Sequence, residues 1–314
     1  MTALDWLLDS DPSIRWQALR DLADAPAEVV AAERAKVATE GWGADLLARQ
    51  SPDGRFGGDT AIQEWTASPE WACLMALGWL RDLGLDPSSR EAVRAVGLAR
   101  DGVTWHWWDD HPFFVGEVEP CINGRVVAIG AYFGQDVTAL VNRLVGEQMA
   151  DGGWNCEQER GATVGSFHTT INVLEGLREH ELATGGTAAV HAARLHGEAY
   201  LLDRRLHRRL STGEIIDPAF TELSFPTSWH YDVLRGLEYL RGLEYLRGAG
   251  SRPDDRISEA VDIVARKGGA EGRWVLENVH DDLLDLDVGE AAGAPSRWNT
   301  LRAMRVLRWA GRAG

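Results

Sequence analysis

The sequence predicts an all-α fold in a single domain, with helices of two kinds that alternate and close into two concentric rings. One observation is a glycine turn that recurs along the 314 residues. Its anchor residues, at positions 56, 105, 154, 215 and 274, are spaced 49, 49, 61 and 59 residues apart. A repeat of this length indicates one supersecondary unit used several times. The other observation is that helices with one apolar face alternate with helices that are apolar on most sides.

The recurring turn ends one helix and leads to the next. It is clearest at residues 50–56 (QSPDGRF), 148–154 (QMADGGW) and 271–274 (EGRW), with weaker copies at 101–105 and 212–215. Glycine stops a helix because it adopts a positive φ without steric cost. We therefore predict a helix boundary at each of these five positions.

Amphipathic outer helices are predicted before the turns, as at 140–145 and 257–264, where apolar residues recur at helical spacing. Inner helices are predicted after them, at 69–80, 123–133, 167–177, 229–237 and 295–307. Residues 11–19 resemble the last inner segment, so the chain is expected to begin and end on inner helices. This assigns residues 1–40 to helices that close the ring and 41–314 to five helix-pair repeats. No convincing β alternation is present.

The charge balance excludes some partners. With 32 basic and 48 acidic residues the net charge is −16, which argues against a nucleic-acid surface. The sequence has no apolar run of the roughly 18 residues that a membrane span requires, so no integral membrane segment is expected. Three widely separated cysteines imply no disulfide framework. Together with a first segment unlike a signal peptide, they predict a cytoplasmic protein.

Residues 148–154, the repeat period and the alternation of helices together resemble the terpenoid cyclase and protein prenyltransferase superfamily. The motif is similar to the QW repeat of squalene and oxidosqualene cyclases. The resemblance implies an (α/α)6 toroid whose inner helices line a central cavity that holds an isoprenoid or another apolar small molecule. The Asp-x-Asp-Asp acid motif of those cyclases is missing, since 285–288 reads DLDV. Residues 281–285 (DDLLD) match a magnesium-binding motif, which we interpret as a chance match.

The β subunits of protein prenyltransferases provide a second comparison, because they bind zinc through Asp-x-Cys and a later histidine. Here Glu119 and Cys121 precede one inner helix, His168 opens the next, and Cys156 follows the turn between them. Thiolate, imidazole and carboxylate suit zinc as ligands. The alternative is that both cysteines are small packing residues and that His168 caps its helix or lies in the core.

Polar residues also recur near the starts of the inner helices. His168 and Asn172 share one helix face, and aligning the helices brings Asn172, Asp232 and Asn299 to equivalent positions. They either line one pole of a wet cavity or form a hydrogen-bonded belt between helices. The candidate catalytic residues are Glu119, Cys121, His168 and Asp232. The candidate ligand-binding residues are Asn123, Arg125, Asn172, Trp229, His230, Tyr231, Trp298 and Asn299.

Three functions remain open at this point. The first is binding of an isoprenoid or other apolar molecule in the cavity, with cyclisation or isomerisation by acid–base chemistry. The second is a zinc-dependent transferase that activates a thiol. The third is a non-catalytic toroid whose centre is filled by side chains. The immediate repetition of residues 235–240 as 241–246 is interpreted as a duplication without functional weight.

Overall fold

The computed structural model describes residues 1–56, 68–243, 246, 253–269, 271–280 and 288–312. These residues are mostly helical, as the sequence predicts. The chain divides into two compact units: unit 1 contains residues 1–36, 201–280 and 287–314, and unit 2 contains 37–200 and 281–286. The acidic motif at 281–285 and part of the second hexapeptide copy lie outside the described residues.

The described helices are α1 (Ala3–Leu8), α2 (Pro12–Asp21), α3 (Ala27–Ala35), α4 (Gly41–Ala48), α5 (Pro69–Leu83), α6 (Arg90–Gly102), α7 (Pro120–Tyr132), α8 (Thr138–Gly146), α9 (Phe167–Thr184), α10 (Ala188–Asp203), α11 (Val233–Gly242), α12 (Ser258–Arg266) and α13 (Arg297–Trp309). Short 3-10 helices span Lys36–Ala38, Phe113–Val115, Gln158–Arg160, Pro218–Thr221 and Asp255–Ile257. Two antiparallel ladders pair β1 (Thr104–Trp105) with β2 (His111–Pro112) and β3 (Trp274–Val275) with β4 (Pro295–Ser296).

Several details differ from the sequence prediction. The turn at 212–215 does not end a helix, because α10 ends at Asp203. The β ladders were not expected, because strands of two residues are too short to show alternation. Helix α11 begins at Val233 rather than at residue 229, since the side chain of Asp232 accepts the backbone N–H of Arg235 and caps the helix. Ser228 has a φ of 48°, so the chain turns just before this cap. Trp229, His230 and Tyr231 therefore precede the helix.

The three clearest glycine turns have the same geometry. Gly54, Gly152 and Gly272 have φ values of 88°, 87° and 67°. In each turn the residue three before the glycine donates its N–H to the carbonyl of the residue after the glycine, at 2.9 Å. The weak copy at Gly102 differs, because this glycine lies inside α6. A common hydrogen-bond pattern at distant positions supports one repeated local unit.

A glutamine side chain braces two of these turns against a second helix. The Nε2 of Gln148 donates to the carbonyl of Gly152 and to that of Ala193 in α10, each at 2.8 Å. Gln50 does the same, with its Nε2 at 3.2 Å from the oxygen of Gly54 and 2.8 Å from that of Ala95 in α6. Each amide thereby links the turn to the following amphipathic helix.

Both ends of the chain meet within unit 1. Helix α13 contacts α1, α2, α11 and α12. The ring of Trp6 lies between the guanidinium groups of Arg273 and Arg297, at 4.5 Å and 4.6 Å from its centroid, an arrangement favoured by cation–π attraction. The N-terminal helices thus cover part of the last helix.

Helices α7 and α9 form the closest helix pair of unit 2, and glycine makes their approach possible. A Cβ on Gly124 would lie 2.5 Å from the carbonyl oxygen of Asn172, and one on Gly176 would lie 2.4 Å from that of Gly124. Because residue 124 faces 172 and Val127 faces Gly176, the helices run parallel. Their first turns, with Cys121 and Thr169, consequently lie side by side.

Candidate metal and thiol site

The site is built on the first turn of α7. Glu119 is the N-cap residue, but its exposed side chain makes no capping hydrogen bond. Pro120 starts the helix and Cys121, which is buried, follows it. The loop between the glycine turn and α9 carries Cys156, which is partly exposed. The carboxylate of Glu119 is therefore available for a role other than capping.

The loop brings Cys156 to Glu119 and Cys121. One carboxylate oxygen and the two sulfur atoms all lie within 4.8 Å of one another. The thiol of Cys121 donates to Oε2 of Glu119 at 3.6 Å. On the other side, Sγ of Cys156 lies 3.4 Å from the hydroxyl oxygen of Thr169 in α9. The structure thus brings together three of the residues that the sequence proposed for chemistry.

The two thiols differ in acidity because they lie against each other in different surroundings. The contact with the Cys156 sulfur, together with burial and the nearby Glu119 carboxylate, raises the pKa of Cys121 well above its usual range. The same contact, supported by the Thr169 hydroxyl, lowers the pKa of Cys156 although burial opposes the change. Cys156 is therefore the more acidic thiol of the pair.

A second carboxyl group, that of Glu117, contacts the main chain of Glu119. Its Oε1 accepts the backbone N–H of Glu119 at 2.5 Å, and the indole of Trp107 also donates to it. Burial raises the pKa of Glu117 to about 7 in spite of these hydrogen bonds. Asn123 holds the main chain here, since its amide accepts from the N–H and donates to the carbonyl of Glu117, each at 2.8 Å. The predicted ligand residue Asn123 therefore supports the site loop.

The donor set fits zinc. Zinc–sulfur and zinc–oxygen bonds of about 2.3 Å and 2.0 Å in a tetrahedron place sulfur and oxygen about 3.5 Å apart. The distance from the sulfur of Cys121 to the oxygen of Glu119 is 3.6 Å. Three protein ligands leave a fourth position for water or a substrate, as in catalytic zinc sites. The hydroxyl of Thr169, which contacts the Cys156 sulfur, would orient that sulfur toward the metal.

His168 is not part of this group of ligand atoms among the residues that the structure describes. It is half-buried in the first turn of α9, and its carbonyl accepts from the Nδ2 of Asn172 at 2.7 Å. The next residue, Thr169, contacts the Cys156 sulfur instead. Arg125, half-buried on α7, donates through Nη2 to the sulfur of Met75 at 3.3 Å.

The polar candidates in unit 1 bind main-chain groups. Asp232 accepts the N–H and the hydroxyl of Ser224, at 3.0 Å and 2.6 Å, in addition to capping α11. Asn299 donates through Nδ2 to the carbonyls of Leu223 and Val275, at 3.1 Å and 3.2 Å. Both side chains are buried. These contacts satisfy them within the fold, which favours the hydrogen-bonded belt over a wet cavity wall.

The aromatic candidates of unit 1 also have protein partners. The Tyr231 hydroxyl donates to the carbonyl of Leu206 at 2.7 Å. The ring of Trp298 stacks on Phe225, with centroids 4.6 Å apart. His230 is stacked between two rings, with centroid distances of 3.8 Å to Trp229 and 3.6 Å to His280. These residues belong to unit 1, whereas Glu119, Cys121 and Cys156 belong to unit 2.

The sequence reasoning missed two contributors to the site, Thr169 and Glu117, because neither belongs to a motif. It also missed a carboxylate–imidazole pair in unit 2, where the Nδ1 of His106 contacts the buried carboxylate of Glu70. Such pairs depend on tertiary contact between positions 36 residues apart.

Comparison of the sequence with models of known protein families gives no match, and comparison with curated proteins gives none either. Within the described part of the chain, none of the helices combines the length and the apolar character needed to cross a bilayer.

Proposed function

We propose that this chain is a zinc-dependent transferase. Zinc held by Glu119, Cys121 and Cys156 would activate the thiol of a bound substrate, and the enzyme would join an apolar group to that thiol. The observation that carries the proposal is the convergence of these three donor atoms within 4.8 Å. Zinc at such a centre makes a bound thiol ionise near neutral pH and thereby more nucleophilic. The protein residues hold the centre, while Thr169 orients one sulfur and Asn123 fixes the adjacent main chain.

Exposed apolar side chains around the site support an apolar second substrate. Trp107, Val115, Val118 and Val164 are 37–58% exposed. Val118 precedes Glu119 directly, and Trp107 is hydrogen-bonded to Glu117. The carbonyl of Val164 accepts from the side chain of Asn155, the neighbour of Cys156. Exposed apolar groups that cluster beside polar ligands are typical of binding surfaces.

The resemblance to terpenoid cyclases and prenyltransferases extends this proposal to the whole chain. It implies a single (α/α)6 toroid over residues 1–314 whose cavity holds an isoprenoid. The parallel, glycine-mediated packing of α7 and α9 is the arrangement expected of neighbouring inner helices. A cytoplasmic location also belongs to the proposal, because a reducing compartment keeps both thiols available. Acid-catalysed cyclisation and a non-catalytic scaffold stay predictions.

The test is zinc binding by purified, chelator-treated protein, measured by calorimetry and metal analysis. We expect one zinc ion per chain. Cys121→Ser, Cys156→Ser and Glu119→Gln should each weaken binding by about tenfold or more. Cobalt substitution should produce a thiolate-to-metal absorption band that weakens in both cysteine variants.

Cys73→Ala is the matched control, because Cys73 is fully buried in α5 and not part of the ligand group. This variant should bind zinc like the parent protein. Absence of stoichiometric zinc, or equal affinity in the parent and in all three site variants, would contradict the proposed function.

A further inference from the structure

The two sulfur atoms of the site suit a second kind of chemistry that requires no metal. Both cysteines are free thiols, and their sulfur atoms lie within 4.8 Å. A disulfide needs a sulfur–sulfur distance of about 2.05 Å. The remaining gap can close by adjustment of the loop around Cys156, since this residue lies outside the helices. The first turn of α7 can keep its position.

Differences in exposure and in polar neighbours give the two thiols different roles in disulfide exchange. Cys156 is partly exposed, whereas Cys121 is only 8% exposed. A disulfide-bearing molecule in solution can therefore reach Cys156 and is largely kept from Cys121. The hydroxyl of Thr169, 3.4 Å from the Cys156 sulfur, can stabilise negative charge on it. The carboxylate oxygen of Glu119, 3.6 Å from the Cys121 sulfur, can accept the proton of that thiol.

We propose that Cys156 and Cys121 form a redox-active pair that exchanges with low-molecular-weight disulfides, with Cys156 as the attacking thiol and Cys121 as the resolving thiol. This activity goes beyond the proposed transferase and does not depend on zinc. In the first step the Cys156 thiolate attacks one sulfur of the small disulfide. The sulfur–sulfur bond of that molecule breaks, one thiol leaves, and a mixed disulfide remains on Cys156.

In the second step Cys121 transfers its proton to Glu119 and attacks the Cys156 sulfur. The mixed disulfide breaks, the second small molecule leaves as a thiolate that takes up the proton from Glu119, and an intramolecular disulfide forms. Two protein thiols are oxidised and one small disulfide is reduced to two thiols, so atoms and electrons balance. The oxidised pair has lost both thiolate ligands, and zinc binding and disulfide formation therefore exclude each other.

The experiment treats full-length, metal-free protein with oxidised glutathione and maps the products by peptide mass spectrometry after acid quench. The parent protein should form a Cys121–Cys156 disulfide. Cys121→Ser should stop at a glutathione adduct on Cys156. In Cys156→Ser the buried Cys121 should react at least about tenfold more slowly. Cys73 is fully buried, so its modification would report unfolding and serves as an internal control.

Preloading with zinc separates this inference from the proposed function. If both are correct, zinc should slow the exchange at least about tenfold, because it occupies both thiolates. Exchange that zinc does not affect, in a protein that binds none, would overturn the transferase proposal alone. No Cys121–Cys156 disulfide in the parent, or equal rates in the parent and Cys156→Ser, would overturn the redox pair.

Discussion

Thr169 illustrates how a single hydroxyl can matter at a thiol site. It is buried, its oxygen lies 3.4 Å from the Cys156 sulfur, and it stands beside Cys121 in the neighbouring helix. The adjacent Thr170 has a different role, because its hydroxyl accepts a hydrogen bond from the backbone N–H of Trp154 at 3.0 Å. Thr300 repeats this bond to the N–H of Trp274, also at 3.0 Å. Thr169 thus contacts the candidate site, whereas Thr170 holds the repeated turn.

Thr169→Val should lower zinc affinity by about tenfold, because a hydrogen-bond partner of a metal ligand holds that ligand in its binding orientation. Calorimetry on metal-free protein checks this expectation. Thr184→Val is the matched control, since Thr184 lies on the same helix and its hydroxyl bonds to groups of His180 and Gly186. Equal affinity of Thr169→Val and the control would remove Thr169 from the proposed site.

At the scale of elements, the turn that precedes Cys156 depends on close contact with α10. Gly152 has a φ of 87°, and an added Cβ would lie 2.6 Å from the carbonyl oxygen of His196. Gly213 has a similar φ of 74°, but an added Cβ would meet nothing within 4 Å. Comparing alanine variants of Gly152 and Gly213 therefore separates two free-energy costs, that of a positive φ and that of a clash with α10.

Gly213→Ala should therefore lower the free energy of unfolding by about 1–2 kcal/mol, the cost of a left-handed conformation with a side chain. Gly152→Ala should lower it by at least about 3 kcal/mol, because the clash with backbone adds to this cost. Urea unfolding of both variants gives the comparison. Equal losses would show that the approach of α10 does not constrain the turn.

In unit 1, a largely buried ion pair joins α11 to α13. Arg305 Nε donates to Oε2 of Glu238 at 2.6 Å, and its Nη1 lies 3.4 Å from Oδ2 of Asp21 in α2. Burial alone would raise the pKa of Glu238, but the charges of Arg305 and Arg241 outweigh it and lower this pKa. The carboxylate thus stabilises the fold above its ordinary pKa, and this contribution is lost as the pH falls through the lowered value.

Arg305→Met should lower the free energy of unfolding at pH 7 by about 3 kcal/mol, because it leaves a buried carboxylate with fewer partners. It should also weaken the loss of stability on acidification below pH 4.5, the ordinary value for Glu238. Urea unfolding between pH 3 and 7 measures both effects. Adding Glu238→Gln should recover part of the loss. A double variant as unstable as the sum of both single variants would rule out coupling of this pair.

For the molecule as a whole, the sequence predicts the features that local rules determine. Helix class, the glycine turns and most helix starts follow from apolar spacing, capping residues and positive φ, as at Ser166 and Ser296, whose hydroxyls cap α9 and α13. The composition of the site was harder to predict. Successive residues on a helix point about 100° apart, so the sequence alone could not decide whether His168 or Thr169 would face Cys156.

The similarity between residues 11–19 and the last inner segment led to the expectation that the chain ends would meet. Within unit 1, α1 and α2 contact α13, and Leu7 and Ile14 are fully buried. Arg297 and Arg308 on α13 also donate to backbone carbonyls of Asp9, Asp21 and Leu22. The N-terminal helices should therefore be required for the stability of α13.

Deletion of residues 1–24 tests this dependence. Burial of Leu7 and Ile14 contributes about 1.5–3 kcal/mol each, so the backbone amides of α13 should exchange with solvent at least about a hundredfold faster in the truncated chain. Hydrogen exchange followed by mass spectrometry measures the change. The control is Arg312→Gln, which loses an exposed pair with Asp262 and should change stability by less than about 1 kcal/mol. If the amides of α13 stayed as protected as in the parent chain, the N-terminal helices would not stabilise α13. The ring closure predicted from the sequence similarity would then have no energetic basis.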